Sequence, residues 1–193
     1  MRKAVLLYNP LSGRRRARRL AEVEAALAVL RQAGVEAVIE PTRAQSDATE
    51  QAHQAIAAGC DAIFACGGDG TVHDVLQGVV GSNVPLGIIP MGTANALAHD
   101  LRLPLSGVAA ARASLTAKPQ RIAVGRVEYV DFDGNRGSRF FTVTAGIGVD
   151  AHLFYKLNPL LKGHWGMAAY YAKATRLWPV SYTHLTLPTI YSV

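Results

Sequence analysis

The sequence contains no apolar run approaching the roughly 20 residues needed to cross a bilayer. Its first apolar stretch, Ala4 to Tyr8, is also too short for a signal-peptide core. Cysteine is nearly absent: Cys60 and Cys66 share one expected helix-to-strand segment, which excludes a disulfide framework. Charged residues make up only 18% of the chain and hydrophobic ones 50%, a balance too apolar for intrinsic disorder. A soluble cytoplasmic protein is expected. The 193 residues leave room for one ordinary domain, or for one domain and part of another.

A general excess of positive charge is missing too. The net charge is +6, but Arg14, Arg15, Arg16, Arg18 and Arg19 stand in one run, and taking those five away leaves +1. This distribution argues against nucleic acid as a partner. The run itself has two readings. It is either the solvated first turn of a helix or an anion site for phosphate or an acidic lipid surface.

Aromatic residues are scarce in the first 119 positions, where only Tyr8 and Phe64 occur; the other twelve of fourteen follow. The early part is Ala-rich and alternates short apolar runs with amphipathic stretches. After Pro119 the text becomes β-like, with Val, Phe and Tyr prominent. A domain boundary is placed between Lys118 and Pro119.

In the first part, Lys3 to Tyr8 reads as a buried strand. A helix is expected from about Arg15 to Ala33, with Leu20, Val23, Leu27 and Leu30 on one face, stopped by Gly34. Strands follow at Val35 to Glu40, Ala62 to Cys66 and Leu86 to Ile89. Helices are expected from Asp47 to Ala58, Thr71 to Val80 and Ala94 to Leu101. Alternation of this kind implies a parallel sheet covered on both faces. Ligands of such sheets bind beyond the carboxyl ends of the strands.

Three glycine-bearing loops stand at those ends: Asn9-Pro10-Leu11-Ser12-Gly13, Gly67-Gly68-Asp69-Gly70-Thr71 and Pro90-Met91-Gly92-Thr93-Ala94-Asn95. Each precedes a helix, whose free N–H groups and dipole favour an anion. Strand-to-helix turns need glycine for geometry alone, so one such loop says little. Three on one sheet edge favour a phosphate-bearing ligand. Asp69 would repel that ligand unless a cation lay between them, and the usual cation is Mg²⁺, held by a carboxylate through water. The competing account is that Asp69 merely caps a helix beginning at Thr71. The fingerprints of P-loop enzymes and of dinucleotide-binding proteins are both absent.

The three loops together resemble the catalytic domain of the diacylglycerol kinase family, which includes bacterial lipid kinases and sphingosine kinases. The resemblance is carried by Asn9 to Gly13, by Gly67-Gly-Asp-Gly-Thr-Val-His73, and by Pro90 to Asn95 with Leu97-Ala98 following. It runs from residue 1 to about Trp178. It implies an α/β fold: a parallel-sheet nucleotide-binding domain over 1–118, followed by the truncated start of a β-sandwich substrate domain over 119–179. It further implies ATP contacts from Asn9, Pro10, Ser12, Gly13, Thr42, Gly67, Gly68, Asp69, Gly70, Thr71, Val72, His73, Gly92, Thr93 and Asn95. Asp69 would be the catalytic carboxylate and the water-mediated Mg²⁺ ligand. The implied reaction is transfer of the γ-phosphoryl group of ATP to a lipid hydroxyl, diacylglycerol or a similar acceptor. The partners would be ATP, the lipid and, transiently, the inner membrane face, at which the arginine run would help docking. A homodimer is compatible with this reading.

Some residues invite other readings. His73 and Asp74 are adjacent, which invites reading His73 as a general base, but neighbours on a helix point apart, so a nucleotide contact or helix-surface role suits His73 better. Asp150, after the Gly146-Ile-Gly148 turn, resembles a family position near the inter-domain cleft, and a helix cap is nearly as good an account of it. Many relatives carry an acidic residue where Ala96 stands; Asp100, one turn later, is the nearest substitute. Arg121 to Val130 and Ser138 to Ala145 read as a hairpin around Asp133-Gly134, and Gly166 to Trp178 as a helix. The family would continue for about another hundred residues, the size of a usual domain. The stretch 180–193 lacks Lys, Arg, Asp and Glu, and is taken as a non-native tail. By the resemblance, the proton-accepting glutamate and the carboxylates of a structural metal site lie beyond Val193. Two rival readings are an NAD kinase, which shares the aspartate loop, and a nucleotide-binding module without catalysis.

Overall fold

The computed structural model describes residues 1–10, 16–42, 47–131 and 133–144. They lie within one compact unit, Met1–Thr144. The Ser12-Gly13 loop tip, Asp150, the helix expected at Gly166 to Trp178 and the 180–193 tail fall outside the described residues.

Short apolar stretches become the strands β1 Lys3–Tyr8, β3 Ala62–Gly67 and β4 Leu86–Pro90, and the edge strand β2 Glu36–Pro41 forms around Ala37-Val38-Ile39 between two glutamates. Between them lie helices α1 Arg16–Gln32, α2 Asp47–Ala57 and α3 Asp69–Val79. After β4 come α4 Ala96–Asp100 and α5 Gly107–Thr116, then strands β5 Gly125–Val130 and β6 Arg136–Phe141. The four early strands form an all-parallel sheet in the order β2-β1-β3-β4. The expected α/β class with a parallel sheet is therefore what forms.

The strand order places the helices. From β1 the chain moves outward to β2, then crosses back to β3 on the other side of β1. Alternate side chains of β1 serve the two faces: Ala4 and Leu6 pack with α1 and α5, Val5 and Leu7 with α2, α3 and α4. β3 is buried along its whole length, and its Phe64 ring fills the space where Gly87 has no side chain; a Cβ there would lie 2.5 Å from the ring. At the amino edge the carboxylate of Asp61 accepts the Arg2 and Lys3 backbone N–H groups at 2.8–3.0 Å. That edge is closed by its own hydrogen bonds.

Several expectations need correcting. Leu20 is 46% exposed, whereas Arg19 is 3% exposed and in helical phase with Val23, Ala26 and Leu30. The face of α1 is therefore rotated by about one residue from the Leu20–Leu30 stripe. Arg19 is therefore set apart from its neighbour Arg18, which is exposed. α3 begins at Asp69 rather than Thr71, because an acidic residue in the first turn suits the helix dipole. α4 is shorter than expected at both ends. Helix α5 was not anticipated: it buries only Ala110 and Ala111 fully, a weak amphipathic signal.

β5 and β6 form an antiparallel hairpin, from Gly125 opposite Phe141 to Val130 opposite Arg136. Its turn is tied by Asp131, whose Oδ1 accepts the N–H groups of Asp133 and Asn135 at 2.9 and 2.8 Å. The hairpin is fastened to α3. Gln77 donates from Nε2 to the Phe140 carbonyl and accepts the Phe140 N–H at Oε1, both at 2.9 Å. The side-chain amide thus pairs with β6 as another strand would.

Candidate functional site

The carboxyl ends of the strands finish level. Tyr8 stands opposite Pro41 on one side and Cys66 on the other, and Gly67 opposite Pro90. The loops leaving them are stitched together by backbone bonds: Thr42 N–H to Tyr8 O at 2.9 Å, Asn9 N–H to Cys66 O at 3.3 Å, and Met91 N–H to Gly67 O at 2.8 Å. The strand order reverses at β1, so the β1 and β3 ends flank the crevice in which such sheets hold ligands. Asn9, Pro10 and Thr42 are half-buried at these ends.

The second and third loops touch backbone to backbone. A Cβ at Gly68 would lie 3.1 Å from Gly92 Cα, and one at Gly92 would lie 2.5 Å from Gly68 Cα. Only a pair of glycines allows that approach. A Cβ at Gly67 would overlap the side chain of Thr71, itself buried in the first turn of α3. Gly70 differs from all three. It is exposed in the first turn of α3, and a Cβ there would meet nothing within 4 Å.

Two side chains lock the loops. Asn95 adopts the left-handed region at φ 49°, ψ 47°. Its Oδ1 accepts the Gly92 N–H at 2.7 Å and its Nδ2 donates to the Gly92 carbonyl at 3.1 Å. The amide of Asn95 is thereby committed to shaping the loop. Asp69, exposed at the start of α3, accepts the Ala96 N–H at Oδ1 across 2.6 Å. It therefore caps α4 rather than a helix starting at Thr71, and ties the second loop to the third. Its Oδ2 makes no hydrogen bond among the described residues.

The remaining expected contacts divide. Thr93 is exposed on the third loop and His73 is half-buried one turn into α3. Val72 points into the core below, and its N–H is taken by Gly68 O at 3.1 Å. Asp100 is exposed at the far end of α4. The Cys66 thiol is pushed well up by burial, which keeps it an inert core group. Burial also raises the Asp74 carboxyl, with His73 and Arg139 pulling the other way.

No group of three or more His, Cys, Asp or Glu side chains able to hold a metal occurs among the described residues. Mg²⁺ does not require such a cage. It is commonly held by one or two carboxylates, waters and substrate phosphates. Asp69, an exposed carboxylate with one oxygen that makes no hydrogen bond among the described residues, fits that donor set.

One connection lay outside the sequence reading. Arg19, beneath the third loop, donates from Nη1 to the Met91 carbonyl at 2.7 Å. Its helical phase with Val23 and Leu30 was the available signal.

The pattern of the diacylglycerol kinase catalytic domain matches residues 3–127. A protein named diacylglycerol kinase from Bacillus subtilis (strain 168) is 33% identical over 183 residues, spanning 93% of this chain and 56% of that protein. One of the same name from Mycobacterium tuberculosis (strain ATCC 25618 / H37Rv) is 34% identical over 176 residues, spanning 91% and 55%. The crystal structure of a diacylglycerol kinase from Bacillus anthracis str. Sterne superposes with a TM-score of 0.53 at 28% identity, over 65% of this chain and 44% of that one. The chain thus spans about half the length of the curated relatives it matches.

Proposed function

The chain belongs to the diacylglycerol kinase catalytic-domain family, and on that premise we propose that it binds ATP with Mg²⁺ at its strand-end loops for lipid phosphorylation. The γ-phosphoryl group would pass to a lipid hydroxyl, that of diacylglycerol or a similar acceptor. The observation that carries this reading is Gly70. In the first turn of a helix, glycine is less favourable than alanine by up to about 1 kcal/mol. Nothing in the described fold occupies the space of its missing Cβ. A glycine with no packing reason among the described residues, next to an Asp69 oxygen that makes no hydrogen bond among them and to two fused loops, would leave that space for a phosphate.

The residues divide the work. Backbone N–H groups at the start of α3 and the hydroxyl of the exposed Thr93 would hold the polyphosphate, where no covalent chemistry is asked of them. Asn95 and the Gly68–Gly92 contact hold the two loops at one spacing. Asp69 would hold Mg²⁺ through water, and the bound ion supplies neutralisation of the phosphate charge. The lipid partner places the enzyme at the cytoplasmic face of a membrane as a peripheral protein. No helix among the described residues is long and apolar enough to cross a membrane.

Thermal melting of the chain with and without Mg-ATP tests the site. Ligand at about 100 times its dissociation constant adds nearly 3 kcal/mol of stability. A midpoint that does not move refutes the nucleotide reading. Incubation with Mg-ATP and a lipid panel then tests transfer, since a module that only binds gives stabilisation without a phospholipid product.

A further inference from the structure

Arg19 is the most deeply buried charged side chain among the described residues, at 3% exposure. It sits in the first turn of α1, on the face that packs against the sheet and α5. Its partners are few for so deep a group. Nη1 donates to the Met91 carbonyl at 2.7 Å, 72 positions along the chain. Nε is buried with no hydrogen-bond partner among the described residues. Glu22, one turn on, attracts it through space, but Arg19 forms no ion pair among the described residues.

Such an arrangement works against folding. A buried guanidinium facing one neutral carbonyl recovers only part of its desolvation, and an apolar side chain of similar length is often neutral or better in its place. What the arrangement does achieve is placement. The Met91 side chain is buried in one cluster with Ala110 and Ala111 of α5, so the residue whose carbonyl Arg19 holds is also packed into the core. The next residue is Gly92, which lies against Gly68 and is held by Asn95. Four residues beyond that, Ala96 N–H meets Asp69. Fixing the Met91 carbonyl therefore fixes the origin of the whole third loop.

We propose that Arg19 is a positioning residue: from α1 it holds the Met91 carbonyl and so sets loop 92–95 against Gly68 and Asp69 in the ligand-ready geometry, at the expense of fold stability. Its importance for ligand binding rests on the nucleotide reading above; its hold on the loop does not.

The test compares Arg19→Met and Arg19→Lys with the wild-type full chain by three readouts: ligand-free melting, amide hydrogen exchange at Gly92 and Ala96, and Mg-ATP affinity. For Arg19→Met the expected result is an unchanged or higher midpoint, with both amides exchanging at least about tenfold faster and affinity weaker by a similar factor, or about 1.4 kcal/mol. Arg19→Lys, whose ammonium can still donate to Met91 O, restores part of both losses. A purely structural residue would instead lower the midpoint and leave affinity alone, and that pattern overturns the proposal. Unchanged exchange at Gly92 and Ala96 overturns it as well. Failure of the wild-type chain to bind Mg-ATP refutes the nucleotide reading, and the exchange rates alone then decide for or against the hold on the loop.

Discussion

Replacing Gly70 by alanine separates what the fold needs from what the ligand needs. Gly70 is the second residue of α3, and a methyl group there has nothing within 4 Å to strike. Without ligand the change is expected to help, because alanine in a helix is favoured over glycine by about 0.5–1 kcal/mol. For a unit of this size, 1 kcal/mol moves a melting midpoint by about 2–4 °C, so the ligand-free variant should melt about 1–4 °C higher. With Mg-ATP at about 100 times the wild-type dissociation constant, the wild type gains about 2.7 kcal/mol, or about 5–11 °C on the same scale. The variant should lose most of that gain, since its methyl takes the space into which a phosphate would fit. Gly92→Ala is the matched control. Its Cβ would stand 2.5 Å from Gly68 Cα and 2.7 Å from Asn95 Oδ1, an overpacking worth about 1–3 kcal/mol of stability. Differential scanning fluorimetry of the three proteins, with and without Mg-ATP, reads every term. A Gly70→Ala protein that keeps the full ligand shift refutes the reserved space. One that melts lower without ligand refutes the geometry.

Three further outcomes are expected. Asp69→Asn keeps an oxygen for the Ala96 N–H and should melt near wild type, yet lose Mg²⁺-dependent stabilisation by ATP; Asp69→Ala should lose the ligand effect and also about 1 kcal/mol of fold stability with the cap, and equal melting of the two variants would contradict the Ala96 bond. Because the native Asp74 carboxyl lies above its unfolded value, the native state binds that proton more tightly, so its contribution is present in acid and is lost as pH rises through the raised value. Asp74→Asn should therefore raise the midpoint at about pH 7, with the gain vanishing below the unfolded carboxylate value of about 3.9; a gain that persists in acid contradicts that origin. Gln77→Leu removes both bonds to Phe140, at about 1–3 kcal/mol for stranding half-buried groups, and exchange protection of the Phe140 amide should fall. Unaltered protection would mean that the hairpin is held to α3 by other contacts.

By itself the sequence determined the class of the fold, because the signals involved are local. Short apolar runs flanked by Gly or Pro and alternating with longer amphipathic stretches read as buried strands of a parallel sheet, and α1 and α2 each end two residues before a glycine at φ near +80°. It also determined that glycine loops meet on one edge, since every strand-to-helix turn of a parallel sheet emerges there. Tertiary structure decided the rest. Helix α5 has little amphipathic contrast of its own and owes its place to Ala110 and Ala111 packing beside α1. The contact of Gly68 with Gly92, the reach of Asp69 to Ala96 and the hold of Arg19 on Met91 each join residues 24 to 72 positions apart. Such distances are set by strand order and by how the helices lie on the sheet. The rotation of α1 that buries Arg19 and exposes Leu20 comes from the surface it packs on, because a helix alone gives each of its faces equal backbone geometry.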